Sequence, residues 1–190
     1  TGDPLIILDG AHNPDAALRL RENMDVLLSG FHIYLVMGIF ADKDYRKIVQ
    51  TTVGPAELVY VVQAENERAL DKEELAKVVR KLGKNVKLPG DIRTTINIAI
   101  DDAKKDSGRA AVLCFGSLSW LAQAKEAVRQ MNSLFPENGI TDRLEAAELA
   151  PEGSGENQGY LCHGDLDQHH VLMGNGYTAI IEYNRMHLGV

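Results

Sequence analysis

Short runs of β-branched and other apolar residues alternate with longer stretches of helical period from the N-terminus to about Met131. The runs Leu5–Leu8, His32–Met37, Glu57–Val62, Asn85–Leu88 and Ala110–Phe115 predict strands. The stretches between and after them, Pro14–Leu28, Asp44–Thr51, Asp71–Leu82, Thr94–Lys105 and Ser117–Met131, predict helices. Strand and helix in strict alternation imply right-handed crossovers, because a right-twisted strand returns to its own sheet through a helix in one hand only. The result is a mostly parallel sheet covered on both faces.

That architecture is a Rossmann-like α/β domain, and its first helix shows the local logic. Asn13 is a good N-cap, and Pro14 suits the first helical position, where its missing N–H has no intrahelical partner to lose. Ala17, Leu20, Met24, Leu27 and Leu28 then recur at three- and four-residue steps and form one stripe to bury on the sheet. Gly30 is the stop signal.

The alternation ends after residue 131. Residues 132–159 read as an acidic, flexible linker: from Pro136 to Gly159 there are six acidic residues, one basic residue and four glycines. This stretch carries −5 of the chain's formal charge of −7, so the α/β domain is nearly neutral. Residues 160–190 contain an apolar run, a Gly174-Asn175-Gly176 turn and a second strand at Tyr177–Tyr183, which predicts a β-hairpin-like tail.

Composition narrows the function classes. With 45% hydrophobic and 25% charged residues among 190, the chain has the ordinary balance of a globular protein and room for one full domain. A net charge of −7 gives no attraction to nucleic acid or to an anionic membrane surface. The longest apolar stretch, Ile33–Ala41, is far short of the ~20 residues that cross a bilayer. Cys114 and Cys162 stand far apart with neither CxxC nor metal-finger spacing, which suits a reducing compartment and predicts a cytoplasmic protein. The opening Thr1-Gly2-Asp3-Pro4 has no initiator Met and no signal core, as expected of a fragment.

In an open parallel sheet, ligands bind beyond the carboxyl ends of the strands. The segments there are Asp9-Gly10-Ala11-His12-Asn13-Pro14, Gly38 with Asp42-Lys43-Asp44, Glu65-Asn66-Glu67-Arg68-Ala69-Leu70, and Gly116-Ser117-Leu118-Ser119. Carboxylate, imidazole, ammonium, guanidinium and hydroxyl groups therefore share one predicted rim. Asp9 and His12 open the first helix, where unpaired N–H groups favour an anion; the same run also serves as an ordinary turn and cap. Ser117 is either a donor to a ligand at a helix start or an N-cap, Asp44 and Lys43 either site residues or a solvated capping triplet. Arg68 is suited to bidentate recognition of a carboxylate.

These four motifs, in this order and at these separations, resemble the C-terminal domain of the folylpolyglutamate synthase/dihydrofolate synthase family, a branch of the Mur ligase superfamily, over residues 1–131. The resemblance implies an ATP-dependent ligase that activates a pteroate or folate carboxylate as an acyl phosphate for attack by the amine of L-glutamate. It implies that Asp9 and His12 approach ATP, that His12 acts catalytically near the phosphate and glutamate, and that Ser117 helps hold glutamate. Asn13, Lys43, Asp44 and Arg68 belong to family motifs of less defined role. The chain departs from the usual pattern at Ser119-Trp120.

No G-x-x-x-x-G-K-[ST] loop occurs; Gly83-Lys84-Asn85 lacks both the upstream glycine and the hydroxyl. ATP and Mg²⁺ are then expected to be held mainly by an absent N-terminal ATPase domain, with folate or dihydropteroate as the other substrate, no metal site in this chain, and no activity from the chain alone. A second resemblance lies in the tail: Cys162-His163-Gly164-Asp165-Leu166-Asp167-Gln168-His169-His170 is similar to the catalytic loop of spore-coat and aminoglycoside-phosphotransferase-like kinases. Asp165 matches the residue that orients the accepting hydroxyl, whereas His170 stands where the metal-binding Asn is expected, so the motif is degenerate. The alternative function is a non-catalytic interaction or spore-associated module.

Overall fold

The protein is described by a computed structural model covering residues 4–134 and 178–181. The chain runs β1 (Leu5–Asp9), α1 (Pro14–Leu27), β2 (His32–Met37), α2 (Tyr45–Thr52), β3 (Ala56–Val61), α3 (Lys72–Lys81), β4 (Val86–Lys87), α4 (Ile92–Lys104), β5 (Ala110–Phe115), α5 (Leu118–Leu134) and β6 (Thr178–Ile181). The six strands form one sheet in the order β4-β3-β2-β5-β1-β6, and every pairing is parallel. The expected α/β class and strand-helix alternation are therefore present.

Side-chain alternation along the strands builds two cores. On one face, Ala111, Leu113 and Phe115 of β5 and Ile33, Leu35 and Met37 of β2 pack against α1, α2 and α3. On the other, Val112 and Cys114 of β5, Val36 and Tyr60 pack against α4 and α5 through Ile96, Ile100, Trp120 and Ala124. Every residue of β5 is buried, as a central strand sandwiched between two helical layers must be.

The caps are the expected short polar residues. Asn13 Oδ1 accepts the Ala16 N–H at 2.9 Å with Pro14 at the helix start. Asp44, Asp71 and Asp91 cap α2, α3 and α4 in the same way, so α4 begins at Ile92, two residues earlier than the apolar period suggests. Leu27, expected in the buried stripe of α1, is 44% exposed at the last helical residue, while Leu28 beyond it is buried.

The tail is the main departure. Thr178–Ile181 falls inside the predicted strand, but it pairs parallel with β1, with Ile7 opposite Ala179 and Asp9 opposite Ile181. It thus extends the main sheet, and the other strand of the expected hairpin lies outside the described residues. α5 runs on through Leu134, three residues into the predicted linker; the rest of the linker and the kinase-like residues His163, Asp165 and His170 lie outside the described residues.

Polar ties fasten α4 and the turn after it to the sheet. Asp102 accepts from Tyr60 Oη and from Lys87 Nζ, both at 2.7 Å. Asp106 accepts from the Gly108 N–H at 2.9 Å and from Tyr34 Oη at 2.8 Å, and His32 Nδ1 lies 2.7 Å from it. These bonds, the Gly108 N–H foremost, hold the Asp106 carboxyl down to about 2. The hydrogen bond and charge of Asp106 raise the His32 pKa above its ordinary value. Because its folded pKa is raised, His32 contributes stability that is complete below about pH 6.5 and is lost as pH rises through its elevated midpoint. Asp106→Asn is expected to return the His32 titration, followed by NMR of its ring protons, toward the ordinary value, and an unmoved midpoint would contradict the pairing.

Candidate functional site

Because all strands run the same way, the turns after β1, β2, β3 and β5 leave from one edge of the sheet. The motif residues Asp9, His12, Lys43, Asp44, Arg68 and Ser117 all belong to those turns or their flanks. β5 lies between β2 and β1, and its chain crosses to the α4/α5 face while theirs cross to the α1–α3 face. The β1 and β5 exits therefore leave for opposite faces of the sheet, the kind of switch point beside which α/β sheets take ligands.

Asp9 ends β1 and is fully buried. Its Oδ1 accepts the Ala11 N–H at 2.7 Å, whereas Oδ2 has no hydrogen-bond partner among the described residues. Burial pushes its pKa well above the usual carboxylate range, and the Ala11 hydrogen bond only partly opposes this. A buried carboxylate oxygen without a donor is a costly feature, of the kind found where a ligand or another domain supplies the missing partner. His12 is half-buried three residues on, with Nδ1 2.8 Å from the Gly10 carbonyl oxygen. If Nδ1 carries the proton in that contact, Nε2 is left as the acceptor for a ligand.

At the end of β5, Gly116 takes φ = +120°, and a Cβ there would lie 2.6 Å from the Gly38 carbonyl oxygen. Glycine is required because the backbones at the ends of β2 and β5 nearly touch. Trp120, fully buried in the first turn of α5, donates its indole N–H to the same Gly38 oxygen at 2.8 Å. Ser117 is buried, its Oγ 3.0 Å from Ser119 Oγ and accepting the Ser119 N–H at 3.3 Å. The departure at Ser119-Trp120 thus has two local effects: one residue ties down Ser117, and the other locks the β2 turn to α5.

The remaining motif residues have structural partners. Asp44 Oδ1 accepts the Lys47 N–H at 3.2 Å as the cap of α2, and Lys43 is half-buried one residue before it. Arg68 is exposed and pairs with Asp42, and its guanidinium lies over the Phe40 ring at 4.7 Å. Phe40 carries no polar signal in the sequence, and only its place opposite Ala69 in an antiparallel bridge reveals its part. Among the described residues, no three His, Cys, Asp or Glu side chains converge to hold a metal ion. Also among the described residues, no helix is long and apolar enough to cross a membrane.

Comparison with known proteins places the fold in a family. Residues 1–118 match the family described as "Mur ligase, glutamate ligase domain". The chain is 32% identical over 124 residues to a probable bifunctional folylpolyglutamate synthase/dihydropteroate synthase of Haloferax volcanii, covering 65% of this chain and 14% of that protein. Its counterpart in Halobacterium salinarum is 30% identical over 173 residues, covering 85% of this chain and 20% of the relative. The structure of E. coli FolC in complex with DHPP and ADP superposes with a TM-score of 0.58 at 26% identity, over 70% of this chain and 30% of that one. The chain therefore spans less than a third of the length of each. The resemblance of the tail to a kinase catalytic loop is not borne out, since these likenesses are to folate enzymes and the tail strand completes the same sheet. The chain belongs to the Mur ligase glutamate ligase domain family.

Proposed function

We propose that this chain is the C-terminal domain of an ATP-dependent folate:L-glutamate ligase of the folylpolyglutamate/dihydrofolate synthase type. In this reading it closes over ATP bound to an N-terminal P-loop domain and receives glutamate beside the β1/β5 switch point. The observation that carries the reading is the convergence of Asp9, His12 and Ser117 on the β1/β5 edge of an all-parallel sheet. The Asp9 oxygen that has no partner among the described residues and the half-buried His12 imidazole supply polar groups on one side, and Ser117 supplies a hydroxyl on the other.

The reaction forms an acyl phosphate as a folate or dihydropteroate carboxylate attacks the γ-phosphorus of ATP and ADP leaves. The α-amine of glutamate then attacks the acyl carbon, an amide bond forms, and inorganic phosphate departs. This domain's part is to bind and orient: His12 sits nearest the phosphate and glutamate, Asp9 faces the nucleotide, and Ser117 holds the amino acid. Asn13 and Asp44 keep the turns in shape as helix caps, as their hydrogen bonds to Ala16 and Lys47 indicate. Mg²⁺ belongs with the P-loop domain, since the phosphate-loop motif is missing from this sequence. The chain alone is therefore inactive, and the compartment is the cytoplasm.

Titration of the ¹⁵N-labelled chain with L-glutamate and with ADP tests this. Shifts confined to the Gly10–Asn13 and Gly116–Ser119 amides are expected, and shifts absent from both loops would overturn the reading. In a ligase that contains this domain, His12→Ala is expected to lower turnover by about 100-fold or more, the usual scale for a group that acts on charge in the transition state.

A further inference from the structure

The β2 and β3 turns are zipped together above the sheet. The Leu70 N–H donates to the Ile39 carbonyl at 3.0 Å, and the Ala41 N–H donates to the Arg68 carbonyl at 2.8 Å, which makes a short antiparallel ladder beyond the parallel strands. Arg68 closes this ladder with its side chain: the guanidinium covers the Phe40 ring at 4.7 Å and hydrogen-bonds Asp42 through Nη2. The Arg68 N–H is itself held by Asn66 Oδ1 at 2.8 Å. Lys43 is bracketed by these contacts, since its N–H donates to the Phe40 carbonyl at 3.2 Å and its own carbonyl accepts the Tyr45 N–H at 2.7 Å.

We infer that Arg68 is a positioning residue: it clasps the β2 turn carrying Lys43 against the β3 turn through Asp42 and Phe40, and does not itself touch the ligand. One face of the guanidinium is covered by an aromatic ring and one of its nitrogens is bound to a carboxylate. To recognise a substrate carboxylate in bidentate fashion it would have to leave both and approach that anion beside Asp42. The Asp42 carboxyl is held below the usual range, first by its hydrogen bond to Arg68, so at neutral pH it is ionised and neutralises the guanidinium. An exposed ion pair of this kind adds little to stability, and its consequence is geometric. The inference rests on the proposed ligase reading for what the rim is positioned to bind.

The test uses the full 190-residue chain with Arg68→Ala, Asp42→Ala, the double variant and Arg68→Lys. Without ligand, hydrogen exchange at the Ala41 and Leu70 amides is expected to quicken about tenfold in each alanine variant while β5 amides stay protected. With L-glutamate as the probe, affinity measured by NMR is expected to weaken about tenfold in either single variant and no further in the double, with partial recovery in Arg68→Lys. Unchanged exchange at Ala41 and Leu70 overturns the inference. So does loss of glutamate affinity in Arg68→Ala with unchanged or tighter binding in Asp42→Ala, the signature of a direct ligand contact. A wild-type chain that shows no response to glutamate or ADP counts against the ligase reading, and the exchange measurement still decides the clasp.

Discussion

Gly116→Ala is expected to destabilise the chain by about 3 kcal/mol in urea unfolding, combining the strain of an L-residue at positive φ with a main-chain clash. The added methyl would stand 2.6 Å from the Gly38 carbonyl oxygen and 3.0 Å from Ile39 Cγ1. Neither neighbour yields easily, because the Gly38 oxygen also accepts the Trp120 indole N–H and its N–H donates to the Phe115 carbonyl at 3.3 Å. Gly30→Ala is the matching control. Its φ is +79° but nothing lies within 4 Å of a Cβ there, so only the left-handed backbone cost of about 1 kcal/mol applies. Equal losses at the two positions would show that the contact between the β2 and β5 turns is not tight.

Asp9→Asn is expected to stabilise the chain by about 2 kcal/mol at neutral pH while weakening nucleotide binding. The amide keeps an oxygen for the Ala11 N–H and removes the charge that burial disfavours. The sign follows from the raised pKa. The folded state holds its proton to higher pH than the unfolded chain does, so wild-type stability falls as pH rises above about 4 and levels off only past the elevated folded midpoint. The variant lacks this decline, and thermal melts of the two proteins should converge in acid and diverge toward pH 8. A wild-type curve parallel to that of Asp9→Asn would mean the carboxylate already has a compensating partner. That opposition of stability and binding at one residue is what the proposed ligand-facing role of Asp9 requires.

Much of this architecture was readable along the chain. The stripe Ala17, Leu20 and Met24 buries on the sheet, and the Asn13-Pro14 pair starts α1, because capping and period are local properties of a few neighbouring residues. Local signals also placed the polar motifs after strands, which in an all-parallel sheet is enough to gather them on one edge. The misses have a physical basis too. Asp91 starts α4 before its apolar period does, since a cap is decided by one side-chain oxygen rather than by hydrophobic pattern. The tail strand was legible as a strand but not as a neighbour of β1, because its pairing is with residues more than 160 positions away.

The candidate site divides in the same way. Residue types and spacing were sufficient to single out Asp9, His12, Lys43, Arg68 and Ser117, and to expect an anion at the opening of α1. Spacing is silent on what each side chain touches. Only the folded chain shows that Asp9 has a buried oxygen without a donor among the described residues, that Arg68 is engaged by Asp42 and Phe40, and that Trp120 reaches back to Gly38. Period and capping are set within a turn or two of chain, so the order of amino acids alone determined the elements and the rim they share. Burial and side-chain pairing depend on segments brought together from across the sheet, and so the environment of each rim group was decided by the tertiary structure.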